Sequence, residues 1–201
     1  MAEIRRCRPG DRADLYRVCL ATGDSGGDAS ALCRDPDLLG HLYVGPYLEL
    51  EQSLAIALVD GEGVAGYVLG ALDTRDFEAR AERLWWPALR RRYPEPDPAV
   101  RPTWTRDDRL AHLIHRPPRA APEITATHPS HLHIDLLPRC QGAGHGRRMM
   151  ATLCDALRER GSPGVHLGVG RRNERAIAFY HRVGFTELRA SPDALTLGQL
   201  L

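Results

Sequence analysis

The chain has 201 residues, 43% hydrophobic and 26% charged, which is the profile of one globular domain, 1–201, able to bury a substantial core. Its 27 basic and 26 acidic residues nearly cancel, so nothing draws it toward nucleic acid or an anionic membrane. The five cysteines are odd in number and form no C-x-x-C pair, which predicts reduced thiols and a cytoplasmic protein rather than a disulfide framework. No apolar leader opens the chain and no run of 18 apolar residues occurs, so no membrane span is expected. Every basic residue is Arg, as in a GC-rich bacterial genome.

In chain order, residues 3–7 predict a strand, Pro9-Gly10-Asp11 a turn, and 11–21 a helix with Leu15, Val18 and Cys19 at helical spacing. Residues 22–28 are loop by composition, and a helix is expected near 36–43. Strands at 53–59 and 64–72 flank the hairpin signal Asp60-Gly61-Glu62-Gly63. Residues 77–92 predict one helix, a Pro-rich stretch follows, and 106–114 predict a short helix. Together 73–130 form a helical, Pro-rich insertion, expected to act as a lid or substrate wall. After it come a strand at 131–137, a helix at 143–160, a strand at 165–169, a helix at 173–183, and strands at 185–188 and 194–197. The alternation predicts an α/β (α+β) fold with at least one parallel strand pair.

The chemistry concentrates at Gln141-Gly142-Ala143-Gly144-His145-Gly146, between a strand and a helix. The first amides of a helix have no internal partners, and the helix dipole is positive there. Glycines let that backbone approach a ligand closely, which makes an anion cradle suited to a diphosphate. Arg139, Arg147 and Arg148 add positive charge. A Walker loop is excluded because Arg147-Arg148 stands where Lys-Ser/Thr is required. A dinucleotide fingerprint is excluded because the spacing is G-x-G-x-G, late in the chain.

The segment Leu136-Leu137-Pro138-Arg139-Cys140-Gln141-Gly142-Ala143-Gly144-His145-Gly146 resembles the motif of GNAT acetyltransferases, an apolar-x-P-x-x-(Q/R)-G-x-G-x-G run joining strand four to the next helix. Asn173-Glu174-Arg175-Ala176-Ile177-Ala178-Phe179-Tyr180-His181-Arg182-Val183-Gly184-Phe185 resembles the N-x-x-A-x-x-F-Y-x-x-x-G-F signature of the following helix. The resemblance covers about 131–190, and His133-Ile134-Asp135-Leu136-Leu137-Pro138 is similar to the acetyltransferase-like domain attached to O-GlcNAc hydrolases.

The resemblance implies a mixed sheet of about 6–7 strands flanked by helices, with the insertion before strand four. It implies acetyl-CoA as cosubstrate, no metal, an amine acceptor and direct attack in a ternary complex; a homodimer is compatible with it. Leu136 and Leu137 then pair with pantetheine through their backbone. Gln141, Gly142, Ala143, Gly144, His145, Gly146 and Arg147 hold the pyrophosphate. Asn173, Phe179, Tyr180 and Arg182 complete the cofactor contacts, and Tyr180 is also the general acid. Some relatives carry a Glu base five residues before the Asn, where this chain has Gly168, so the base must come from elsewhere. His131, His133 and Asp135 alternate and share one strand face. Asp135 is the first candidate base and Asp73 the second. The same face suits a metal by residue type, although alternating polar residues are more often a solvated face. Trp85, Trp86, Tyr93 and Trp104 offer either an acceptor wall or ordinary core packing. Arg90-Arg91-Arg92 offers attraction for an acidic substrate or a solvated helix end, and Asp24 and Asp28 offer partners for a cationic amine. The alternative function is a non-catalytic acyl-CoA-binding or protein-interaction module on the same fold.

Overall fold

The computed structural model describes residues 2–201; Met1, the first residue of the expected leaderless N-terminus, lies outside the described residues. Seven strands form one mixed sheet: β1 (Glu3–Arg6), β2 (Ala55–Asp60), β3 (Gly63–Ala71), β4 (Ser130–Leu136), β5 (Gly164–Gly170), β6 (Thr186–Ala190) and β7 (Ala194–Leu200). Their spatial order is β1-β2-β3-β4-β5-β7-β6. Every neighbouring pair is antiparallel except β4 and β5. That parallel pair is short, with only Ser130↔Val165 and His131↔His166 in register. Beyond His131 the two strands part.

Helices cover both faces of the sheet, which is why β2 and β3 read as continuous apolar runs. One layer holds α1 (Arg12–Thr22), α2 (Leu38–Tyr43), α3 (Gly45–Leu50), α4 (Thr74–Leu84), α5 (Trp86–Arg92), α6 (Arg106–His115) and α7 (Pro122–Thr127). Its core joins Leu15, Val18 and Leu38 to Tyr67 and Leu69 of β3 and to Phe77, Trp86 and Ile114 of the insertion. The insertion is therefore continuous with this core. The opposite layer holds α8 (His145–Glu159) and α9 (Glu174–Arg182). Met149, Leu153 and Leu157 recur every fourth residue on α8, are fully buried, and pack with Ile56, Leu58 and Val68. Burying each such side chain contributes about 1.5–3 kcal/mol. Gly161, at φ +82°, ends α8, with its N–H donating to the Arg158 carbonyl and that of Ser162 to the Leu157 carbonyl.

The single helix expected over 77–92 is two helices. Pro87, two residues after the junction at Trp85, lacks an N–H and sits in the first turn of α5 instead of continuing α4. Helices α3 and α7, six residues each, were not foreseen because so short a span shows no periodicity. The strand expected at 194–197 extends to Leu200 along β5.

Close packing couples Gly70 to Leu153, since a Cβ on Gly70 would lie 2.7 Å from Leu153 Cδ1. Leu153→Ala is expected to cost about 2–5 kcal/mol in urea unfolding, and Gly70→Ala about 1–3 kcal/mol by overpacking. The double variant should lose less than the sum by about 1 kcal/mol, because the shortened side chain leaves room for the new methyl.

Candidate active site

Two structures meet where β4 leaves β5: a glycine turn on one side and a cavity on the other. The turn follows Pro138–Cys140, a single 3-10 turn. Gly142 and Gly144 adopt φ +81° and +77°, and a Cβ on either would meet nothing within 4 Å. Gly144 caps α8 in the left-handed conformation, so the first amides of that 15-residue helix open onto solvent. Residues Gly142, Ala143 and Gly144 are exposed, as are Arg147 and Arg148, while Gln141, His145 and Gly146 are half-buried. The Gln141 side-chain amide donates to the Leu136 carbonyl at 2.6 Å, and its buried Oε1 has no partner. Gly146 is glycine for a packing reason: a Cβ there would lie 3.3 Å from Phe179 Cζ. This open, donor-rich turn fits a diphosphate.

The backbone of β4 faces two ways. The Leu137 N–H donates to Ala65 of β3 at 2.8 Å, so it is not open to the gap as expected. By strand alternation the N–H groups of Leu136 and Ile134 point to the other side, where β5 has departed. Ile134 was not singled out from sequence. Arg139 also differs from expectation, because its guanidinium is held by Asp60 at 2.7 Å, away from the turn. Cys140 is buried, and burial followed by Asp60 pushes its thiol up, which makes it a poor nucleophile. Arg147 and Arg182 are exposed and have no ion-pair partner among the described residues. Arg148 contacts His145 Nδ1 at 2.6 Å.

Asn173 caps α9, its Oδ1 accepting from the Ala176 N–H at 3.1 Å. The glycine-rich 22–28 loop rests against it, a Cβ on Gly26 falling 3.6 Å from Asn173 Oδ1. Asp24 binds Arg106 at 3.3 Å and Arg172 at 3.6 Å, and Asp28 accepts from Ser30 within its own turn. Neither lines the cavity, so neither meets a cationic amine there.

Strand alternation carries His131, His133 and Asp135 to the α1–α7 side. There Asp135 Oδ2 accepts from the Tyr67 hydroxyl at 2.6 Å and pairs with His133 Nε2 at 3.1 Å, while His133 Nε2 also lies 3.1 Å from the Tyr67 hydroxyl. Burial opposes charge on His133, but the Asp135 carboxylate overcomes it and holds the pKa up at about 10. His131 is the opposite case: burial, then the neighbouring His166 and His133, hold it down at about 3. Thr74 Oγ1 donates to the Pro129 carbonyl at 2.7 Å, so the 2.8 Å contact with His131 Nδ1 is donated by the imidazole. Its Nε2 is left as an acceptor. Donor atoms of Cys19, His133 and Asp135 lie within 4.8 Å of one another. His133 and the Asp135 carboxylate share a proton within this set.

Tyr180 is buried between Phe179 and Phe185, with ring centroids at 5.5 and 6.0 Å. Its hydroxyl has no hydrogen-bond partner among the described residues. Burial and then the charge of Asp135 push its pKa above the ordinary phenol value, which keeps it protonated. Asp73 instead caps α4, accepting from the Asp76 N–H at 2.9 Å, and is exposed.

The cavity, about 540 Å³, runs from the insertion helices down to His131 and His133 of β4 and His166 and Gly168 of β5. Of the four insertion aromatics only Trp86 lines it. Trp85 donates to the His41 carbonyl, Tyr93 to Asp35 and Trp104 to the Asp97 carbonyl. Arg90 pairs with Glu82 and Arg92 with Asp35, and no residue of the Arg90-Arg91-Arg92 run lines the cavity. Tyr67, Cys19, Thr74 and His166 were missed from sequence. The usable signal was a Tyr inside an otherwise aliphatic strand, whose hydroxyl needs a partner.

The chain is similar to known proteins. The model of the Acetyltransferase (GNAT) family matches residues 34–185. The protein O-GlcNAcase of Rattus norvegicus is 27% identical over 203 residues, covering 98% of this chain; the chain spans 22% of that curated relative's length. The crystal structure of SsHAT is 41% identical, covers 99% of this chain and 98% of its own, and superposes with a TM-score of 0.91. At the level of fold, yncA of Salmonella typhimurium, solved with its cofactor acetyl-CoA, is 16% identical with a TM-score of 0.56, covering 100% and 94%. The seven-stranded mixed sheet is the GNAT fold.

The charge of His133 depends on Asp135, and NMR titration reads it directly. The raised value keeps the imidazole protonated through neutrality, losing its proton only near pH 10. In Asp135→Asn burial dominates, so the His133 resonance should titrate below the ordinary value of about 6.5. An unchanged titration would separate the two residues.

Proposed function

The chain belongs to the GNAT acetyltransferase family, and we propose that it is an N-acetyltransferase that uses acetyl-CoA to acetylate an amine by direct attack. One observation carries this reading: β4 parts from β5 after His131, beside a cavity of about 540 Å³, and runs on to Leu136 ahead of an open glycine turn. A donor threaded through the gap and an acceptor in the cavity then meet at the point of parting. The cavity favours catalysis over a binding module, which needs no second compartment.

Acetyl-CoA supplies the acetyl thioester. The amides of Gln141, Gly142, Ala143, Gly144, His145 and Gly146 hold its pyrophosphate, with Arg147 and Arg182 as exposed cations beside it. The Leu136 and Ile134 amides pair with pantetheine and face charge developing on the carbonyl oxygen. Phe179 supports the first turn of α8 through Gly146, and Asn173 fixes the start of α9. The amine nitrogen bonds to the acetyl carbon as the carbon–sulfur bond breaks. Tyr180 donates its proton to the departing sulfur. Asp135, positioned by Tyr67 and His133 but outside the cavity lining, takes up the proton leaving the nitrogen through solvent, and Tyr180 is reprotonated from solvent, so amide and thiol are the only products. Holding the two reactants together supplies much of the acceleration.

Two variants test the reading. Gly144→Glu sets a carboxylate and a strained left-handed residue at the cradle, and calorimetric titration should show acetyl-CoA affinity falling at least about tenfold. Tyr180→Phe should keep acetyl-CoA affinity and lower kcat by about 10²–10⁴. Normal binding by the first variant would remove the cradle, and an unchanged kcat in the second would remove the general acid.

A further inference from the structure

The acceptor cavity has a composition of its own. Tyr43, Tyr47, Phe77 and Trp86 form its walls, joined by Leu113 and Ile124. Among the described residues its lining holds one carboxylate, Glu78. That carboxylate is already engaged, Oε1 by the Ala120 N–H at 2.9 Å and Oε2 by Arg119 at 3.5 Å. The other lining groups able to carry charge are Arg119, Arg189 and three histidines, all cationic when charged. A polyamine or a basic peptide finds no free anion here for the charges beyond its reacting amine. An aminosugar fits this wall poorly: of the five lining hydroxyls those of Thr74 and Ser191 are committed to protein partners, which leaves Tyr43, Tyr47 and Thr196 to replace the water around several sugar hydroxyls.

The size points the same way. A volume of about 540 Å³ falls within the usual range for small-molecule pockets. A single lysyl chain would leave most of the aromatic wall uncovered. At the floor, Gly168 is exposed and a Cβ there would meet nothing within 4 Å, so open space lies where β4 and β5 part. Resting on the acetyl-transfer reading above, we infer that the acceptor is an arylalkylamine: a small primary amine on an uncharged aromatic body. The ring lies against Trp86, Phe77 and Tyr43, and the amine reaches the floor at His131, His133 and Gly168. Apolar walls and the cationic His133 both favour the neutral amine, which is the form that attacks.

The test is release of coenzyme A thiol at fixed acetyl-CoA with phenethylamine, tryptamine, spermidine, glucosamine and a lysine peptide. Acetyl-CoA binding is measured separately by calorimetry. With no Lys in the chain, lysine self-acetylation adds no background. The expected result is kcat/KM for the two arylalkylamines at least about tenfold above the other acceptors. Trp86→Ala should raise KM for tryptamine about tenfold with acetyl-CoA affinity unchanged. If that variant does not fold, Gly168→Val fills the floor from a strand position that tolerates Val, and should likewise raise the tryptamine KM. Faster turnover of spermidine, glucosamine or the peptide would overturn the inference and leave the acetyl-transfer reading standing. Acetyl-CoA binding without turnover of either arylalkylamine would overturn it as well. Failure to bind acetyl-CoA would overturn the functional reading, and the inference with it.

Discussion

Strand β4 is held on one side along its whole length and on the other for two residues. Six partners on β3 fix it, from Gly66↔Leu136 to Ala71↔His131, while β5 accompanies it only at Ser130 and His131. A strand left this way exposes backbone groups that a sheet normally pairs, and leaving such groups buried without partners would cost about 1–3 kcal/mol each. Here they face an open gap between two helical layers. The gap fixes where a ligand with amide groups can lie, and the glycine turn at the end of β4 fixes where its charged end must sit. The chemistry described above depends on that one departure from regular pairing.

The proton-sharing cluster depends on it too. Tyr67 is directly opposite Asp135 in the β3–β4 register, and His133 is two residues back on the same face. The three meet because both strands turn that face toward α1. Tyr180 lies on α9, in the opposite helical layer, and senses the charge of Asp135. The insertion supplies the remaining wall, since α4 and α5 belong to the same core as β3 and α1.

How much of this was legible in the sequence follows the range of the interactions. The cradle is local: glycine spacing, a strand before and a helix after are all written within a dozen residues, and the left-handed Gly142 and Gly144 lie where the motif requires freedom. The resemblance of 173–185 was legible for the same reason. The cluster was only half legible. Alternation placed His131, His133 and Asp135 on one face, but Tyr67 joins them through a strand register that no local pattern specifies. Leu137 was misassigned for a related reason, because which amides face the gap depends on the partner of β4 rather than on its own residues. The role of Asp24 was masked by Arg106, distant in sequence. The break at Pro87 was readable and was overridden by the helical spacing of Leu84, Trp85, Ala88 and Leu89 on one apolar side.

Hydrogen exchange of individual backbone amides, with and without saturating acetyl-CoA, tests the account at its centre. The account predicts slowed exchange at Ile134 and Leu136 and across Gly142, Ala143, Gly144, His145 and Gly146. It predicts no change at Leu137, which already donates to Ala65, and none along β2. Acetyl-CoA binding that leaves Ile134 and Leu136 unprotected would contradict it.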